Sequence, residues 1–288
     1  MIPVTMYLMR YTVILPVIKV YGFEFQQNNY TFFCLALSLI CMSAAGYAIN
    51  DYFNPSTTLS KGEGIASKKI VLYITLCASG ILLGGYVVWK AGMMNLILVY
   101  VLAAAALWMY SAFYRRQILI GYIVIAMLSA LVPISVLLDI QLIYSFYRQF
   151  AINFNFALFW IIGVSVFIFV TMFLYEMIKD IEEFESNINY DWKTLPFVMG
   201  DRFTKQVIIG VNAAIIAMLC LAYSKYEVFF AHVSKYLSFL YILLLLIIPL
   251  LYISWKVYKA TTGDDYRRAG NIMKIVWLAG VSYSSFFF

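Results

Sequence analysis

Four side chains at the end of the sixth apolar stretch recur at steps of four, three and four: Glu176, Asp180, Glu183 and Asn187. If the segment is helical, all four share one face. Like charges at that spacing repel, and they lie at the negative end of the helix, so a bound cation would relieve both penalties. A solvated acidic face balanced by Lys179 and Lys193 explains the same spacing without a ligand. A second oxygen-rich end closes the second apolar stretch, where Asn50, Asp51 and Asn54 precede the helix-stopping Pro55. Its plain reading is a polar helix terminus. Two such ends facing each other suit Mg²⁺, which takes hard oxygen ligands, whereas zinc would need Cys or His that this face lacks. Tyr110, Tyr114, Arg115 and Arg116 follow the fourth stretch. Such cations would neutralise a bound or departing anion. The two arginines are equally explained as basic anchors at a membrane surface.

The elements that must carry these groups are set by composition. Of 288 residues, 64% are apolar and only 12% charged. Soluble domains run nearer half apolar and a quarter charged, so this balance excludes one and predicts a membrane protein. Stretches of spanning length run over 1 to 22, 29 to 50, 69 to 89, 93 to 113, 118 to 138, 154 to 178, 203 to 223, 235 to 257 and 270 to 288. Backbone groups in lipid must be satisfied internally and no alternation of period two is present, so the stretches are helices. The expected fold is all-α, a polytopic membrane bundle of about nine transmembrane helices forming a single domain over 1–288. The start carries no basic region or small-residue cleavage signature and reads as the beginning of a helix.

The net charge of +6 is therefore a topology signal and does not indicate nucleic acid. Thirteen of the twenty basic residues, among them Lys68, Lys69, Arg115, Arg116, Lys179, Lys193, Lys256 and Arg267, fall in the loops after even-numbered spans. That face is expected to be cytoplasmic, with the N-terminus inside. Ten of the fourteen acids share it, although acids contribute little to orientation. A mixed-charge face over a hydrophobic bundle suits an amphiphilic substrate with a charged head. The four cysteines, Cys34, Cys41, Cys77 and Cys220, read as small buried apolar residues rather than disulfides or a zinc site. Arg10 falls inside the first span, either paired with backbone or a polar neighbour or serving a substrate cavity. Asp139 and Glu227 read as interface residues at external helix ends, and His232 as a solvated loop residue.

The segments AGYAINDYFN, YSAFYRR and YEMIKDIEEFESNINYDWKTLPFVMG resemble the UbiA-type intramembrane prenyltransferase family over nearly the whole chain. The resemblance implies Mg²⁺, a prenyl diphosphate, and transfer of its allylic group to a lipophilic acceptor among the membrane lipids: an aromatic quinone precursor or a glycerol-phosphate lipid. It implies that Asp51, Asp180 and Glu183 are catalytic and, with Asn187, hold metal. Asn50, Asn54, Tyr110, Tyr114, Arg115, Lys179 and Lys193 would contact substrate. It leans toward bacterial members and so toward the bacterial cytoplasmic membrane. The chain also departs from the family. The first motif, normally Asn-Asp-x-x-Asp-x-x-x-Asp, here has Asn54 and Thr58 in place of its later aspartates. The second, normally Lys-Asp-x-Glu-Asp-x-x-Gly-Asp, ends in Ser186 and Asn187. Amides are weaker Mg²⁺ ligands than carboxylates. A degenerate homologue that binds prenyl lipid or a partner protein without catalysis therefore stays open, as does, more remotely, a transporter.

Overall fold

The computed structural model describes residues 2–25, 27–53, 63–146, 154–187, 193–226 and 235–287. Helices α1 (Ile2–Val20), α2 (Asn29–Phe53), α3 (Glu63–Lys90) and α4 (Met94–Ala112) are followed by the bent pair α5 (Ile120–Ile134) and α6 (Leu137–Phe146). Then come α7 (Asn155–Asn187), α8 (Leu195–Tyr226), α9 (Tyr236–Lys259) and α10 (Gly263–Ser282). Among the described residues seven helices are long and apolar enough to cross a membrane, and the bent pair makes an eighth. The chain is a multi-pass integral membrane protein. The expected ninth span, α10, opens on Gly-Asp-Asp-Tyr-Arg-Arg and is amphipathic. It buries Tyr266, Ala269, Gly270, Met273 and Val276 against the bundle. Leu82, Trp89, Leu98 and Tyr258 are among many large apolar side chains left facing outward, where a bilayer would cover them.

The breaks in the helices follow from particular residues. Pro133 cannot donate within its helix, and the α5–α6 pair bends by 41° just beyond it. Gly200, at φ 79°, interrupts α8 near its start, and the Thr204 hydroxyl donates to the Gly200 carbonyl across the break. The α8 stretch therefore begins earlier than the apolar pattern suggested. In α7, Leu174, Met177, Ile178 and Ile181 are buried at the helical repeat. They pack in a cluster with Ile253 and Val257 of α9 and Ala269 of α10. That packing fixes the rotation of α7 and leaves Glu176, Asp180 and Glu183 on the adjoining face. Polar ties join neighbouring helices: Asn212 of α8 donates to the Leu250 carbonyl of α9 at 2.6 Å, and Ser38 of α2 shares a hydrogen bond with Tyr100 of α4.

Arg10 is fully buried. It lies where α1 widens into a π turn over Met9–Ile14, between the rings of Phe25 and Phe32, each centred 4.2 Å from the guanidinium carbon. Its Nη2 donates to the Gln27 carbonyl, and its Nε lies 3.2 Å from the Asp139 carboxylate. Of the two readings of Arg10, pairing with backbone and a polar neighbour is the one observed. Asp139 is 1% exposed, which corrects its reading as an interface residue: the bend after Pro133 turns the first turn of α6 inward. Cys34 and Cys77 are buried as expected, but Cys220 is exposed, and all four thiols are unpaired. His232 and Glu227 lie outside the described residues.

The Arg10–Asp139 pair joins α1 to the α5–α6 pair just beyond its bend, and the start of that pair carries Tyr122. Removing one member of a buried pair leaves an uncompensated charge at a cost of about 3–5 kcal/mol, whereas replacing both with apolar residues is close to neutral. Arg10→Leu is expected to lower the unfolding temperature in detergent micelles substantially, and Arg10→Leu with Asp139→Leu to recover most of the loss. A double variant no more stable than the single one would show that the two charges are not coupled.

Candidate functional site

α4 ends at Ala112, and the tight turn Tyr114–Arg116 turns the chain toward α5. This turn docks between two helix ends that are far apart in sequence. The Arg115 Nη1 donates to the Asn50 side-chain oxygen of α2 at 2.7 Å, and its Nη2 donates to Glu183 Oε2 of α7 at 2.8 Å. Arg116 donates to the Phe53 carbonyl at 3.4 Å, a cation at the negative end of α2. The Lys193 backbone N–H donates to the Arg116 carbonyl at 3.0 Å, which draws the chain after α7 against the same turn. Neither arginine is merely a membrane-surface anchor.

Around this turn a small cleft, open to solvent, is lined by Tyr110, Arg115, Gly121, Tyr122, Glu176, Lys179, Asp180 and Glu183. Each carboxylate in it has a partner. Tyr110 donates to Glu176 at 3.4 Å, and Tyr122 donates to Asp180 at 2.5 Å. Glu183 lies between two cations, with Oε2 on Arg115 and Oε1 3.6 Å from Lys179. Partly buried charge at a membrane edge demands such partners, because charge cannot be left bare where water is scarce. Glu182, one residue from Glu183 but on another face of α7, instead meets Arg267 of α10 at 2.9 Å.

The structure thus brings together Tyr110, Arg115, Lys179, Asp180 and Glu183 of the sequence-predicted set, with Asn50 behind Arg115. Asp51 is not brought in: it is exposed, 55% at its side chain, and its carboxylate lies 2.7 Å from Lys69 of α3. One step along a helix is a turn of about 100°, so Asn50 and Asp51 cannot both face the cleft. Tyr114 is half-buried in the turn but does not line the cleft, and Lys193 is exposed and acts through its backbone. Asn54 and the side chain of Asn187 lie outside the described residues. The sequence reading missed Tyr122 and Gly121 and left Glu176 out of the site.

The magnesium expected from the motifs finds no matching donor set here. Among the described residues no three His, Cys, Asp or Glu side chains converge as metal ligands do. The α2 end offers the cleft an amide already bonded to Arg115, and the α7 acids are held by cations and phenols. Hard, mostly anionic oxygen ligands free to converge are what Mg²⁺ requires, and the described residues do not present them.

Gly121 holds the cleft's shape. A Cβ there would lie 2.7 Å from the Tyr114 carbonyl oxygen and 3.2 Å from Arg115 Cα, so the start of α5 meets the backbone that carries Arg115 with no room for a side chain. Gly121→Ala is expected to destabilise the protein by about 1–3 kcal/mol. Gly163→Ala, in open space on α7, should be neutral or slightly stabilising. Thermal unfolding of both variants checks the contrast, and equal behaviour would contradict the close approach.

No protein-family model and no curated protein matches the chain. Two solved structures do. One, described as giving structural and mechanistic insights into the biosynthesis of digeranylgeranylglyceryl phosphate synthase in membranes, is 17% identical over 90% of this chain and 88% of that one, with a TM-score of 0.57. The other, the apo structure of a UbiA homolog from Aeropyrum pernix K1, is 12% identical over 97% of both chains, with a TM-score of 0.59. At these identities the likeness concerns the course of the helices and not the chemistry: the chain has the UbiA-type fold.

Proposed function

We propose that the protein is an intramembrane prenyltransferase, acting as one domain in a bacterial cytoplasmic membrane with its N-terminus inside. The observation that carries this reading is the juxtaposition of Arg115 and Lys179 with Tyr110 and Tyr122 in one cleft where α2, α4, α5 and α7 meet. A diphosphate needs cationic donors at hydrogen-bonding range, and its prenyl tail needs an apolar path away from water. This cleft has the first, and the adjoining bundle interior is apolar. The UbiA-type fold supports the same assignment.

In this reading Arg115 and Lys179 hold the diphosphate. The bond between the allylic carbon and its oxygen breaks, its electron pair leaves with pyrophosphate, and the two cations stabilise that departing charge. The acceptor's nucleophilic oxygen or carbon then bonds the allylic carbon and releases a proton. Asp180, in contact with the Tyr122 hydroxyl, is positioned to receive it. The acceptor class is a glycerol-phosphate lipid or an aromatic quinone precursor.

One observation favours a second reading, a homologue that binds prenyl lipid without turnover: Asp51, the one aspartate retained in the first motif, is turned to Lys69 outside the cleft. Pyrophosphate release by the lipid-reconstituted protein, given prenyl diphosphates with and without a membrane-lipid extract, separates the two. Release that requires the extract is expected, falling about tenfold or more in Lys179→Gln. Binding of prenyl diphosphate with no release under any acceptor would overturn the transferase reading in favour of the second.

A further inference from the structure

We propose that Glu183 is an internal stand-in for the diphosphate: it occupies Arg115 and Lys179 until the anion displaces it, so these two side chains, and not a divalent ion, are the cations that bind the substrate. The inference rests on the prenyl diphosphate reading above and assigns Glu183 a role opposite to that of a metal ligand.

Three observations carry it. First, the Glu183 carboxylate spans both cations of the cleft, Oε2 at 2.8 Å from Arg115 Nη2 and Oε1 at 3.6 Å from Lys179 Nζ. A phosphate bound between an arginine and a lysine would place its oxygens in the same way. Secondly, the two partners differ in depth: the Arg115 side chain is 12% exposed and that of Glu183 is 29% exposed. Glu183 is the member nearer water and the one able to leave. Thirdly, Asn50 holds Arg115 from behind through an amide oxygen at 2.7 Å. An amide orients the guanidinium without cancelling its charge, whereas a carboxylate in that place would neutralise it. When Glu183 swings away, Asn50 still holds Arg115 aimed into the cleft.

The charge count of the cleft adds a consequence. Glu176, Asp180 and Glu183 face Arg115 and Lys179, so removing one carboxylate makes the cleft more welcoming to an anion. If Glu183 held a metal, removing it would do the reverse.

The test measures equilibrium binding of inorganic pyrophosphate and of an unreactive prenyl thiolodiphosphate to the detergent-purified full chain, with Mg²⁺ and then with chelator. Wild-type affinity is expected to change less than about twofold between the two buffers, and Glu183→Gln to bind about threefold to tenfold tighter. Arg115→Gln, checked for folding by its unfolding temperature, is expected to lose about tenfold or more. The wild-type and Glu183→Gln comparisons stand without it. Binding that vanishes with chelator, or a Glu183→Gln variant that binds more weakly, would overturn the inference and leave the prenyl diphosphate reading intact. Absence of wild-type binding in both buffers would overturn that reading and the inference with it.

Discussion

A guanidinium held between the ends of two helices from different halves of the chain organises the functional end of this protein. Arg115 bonds Asn50 of α2 and Glu183 of α7 at once, and the turn that carries it fits only because Gly121 has no side chain. In a bilayer the helices have little hydrophobic reason to prefer one neighbour over another, so directional polar ties carry an unusual share of the specificity. Because Arg115 has planar, paired donors it can serve two helices together, which a lysine could not do with the same geometry.

The interior answers the same constraint at its other charged point. Arg10 and Asp139 meet in full burial, with Phe25 and Phe32 flanking the guanidinium. That pair fixes α1 against the bent α5–α6 element, and α5 in turn presents Gly121 and Tyr122 to the cleft. The two arginines therefore tie down the same helix pair, Arg115 beside its start and Arg10 just past its bend.

Much of this was legible in the sequence, and what was not has definite physical causes. Helices and their order follow from apolar stretches too long for anything but lipid. The face shared by Glu176, Asp180 and Glu183 follows from their spacing, which the burial of Leu174, Met177, Ile178 and Ile181 on the adjoining face then orients. Spacing cannot say which of two adjacent polar residues faces a neighbour, and of Asn50 and Asp51 only Asn50 meets Arg115, behind the cleft. Tyr122 and Gly121 carry no local signal: one opens an apolar span like any other tyrosine, and the other matters only because a distant turn lies against it. Asp139 ends an apolar stretch in the sequence, but the chain bends by 41° after Pro133 and continues as α6, which carries Asp139 against Arg10. Counting oxygen-bearing residues does not show their partners, and here Arg115, Lys179, Lys69 and Tyr122 pair with them.

The most direct measurement is an experimental structure of the full chain in lipid with an unreactive prenyl thiolodiphosphate bound. The account predicts the diphosphate within hydrogen-bonding distance of Arg115 and Lys179, with Glu183 moved off the guanidinium and Asn50 still on it. A diphosphate bound elsewhere, with the Arg115–Glu183 pair intact, would contradict it.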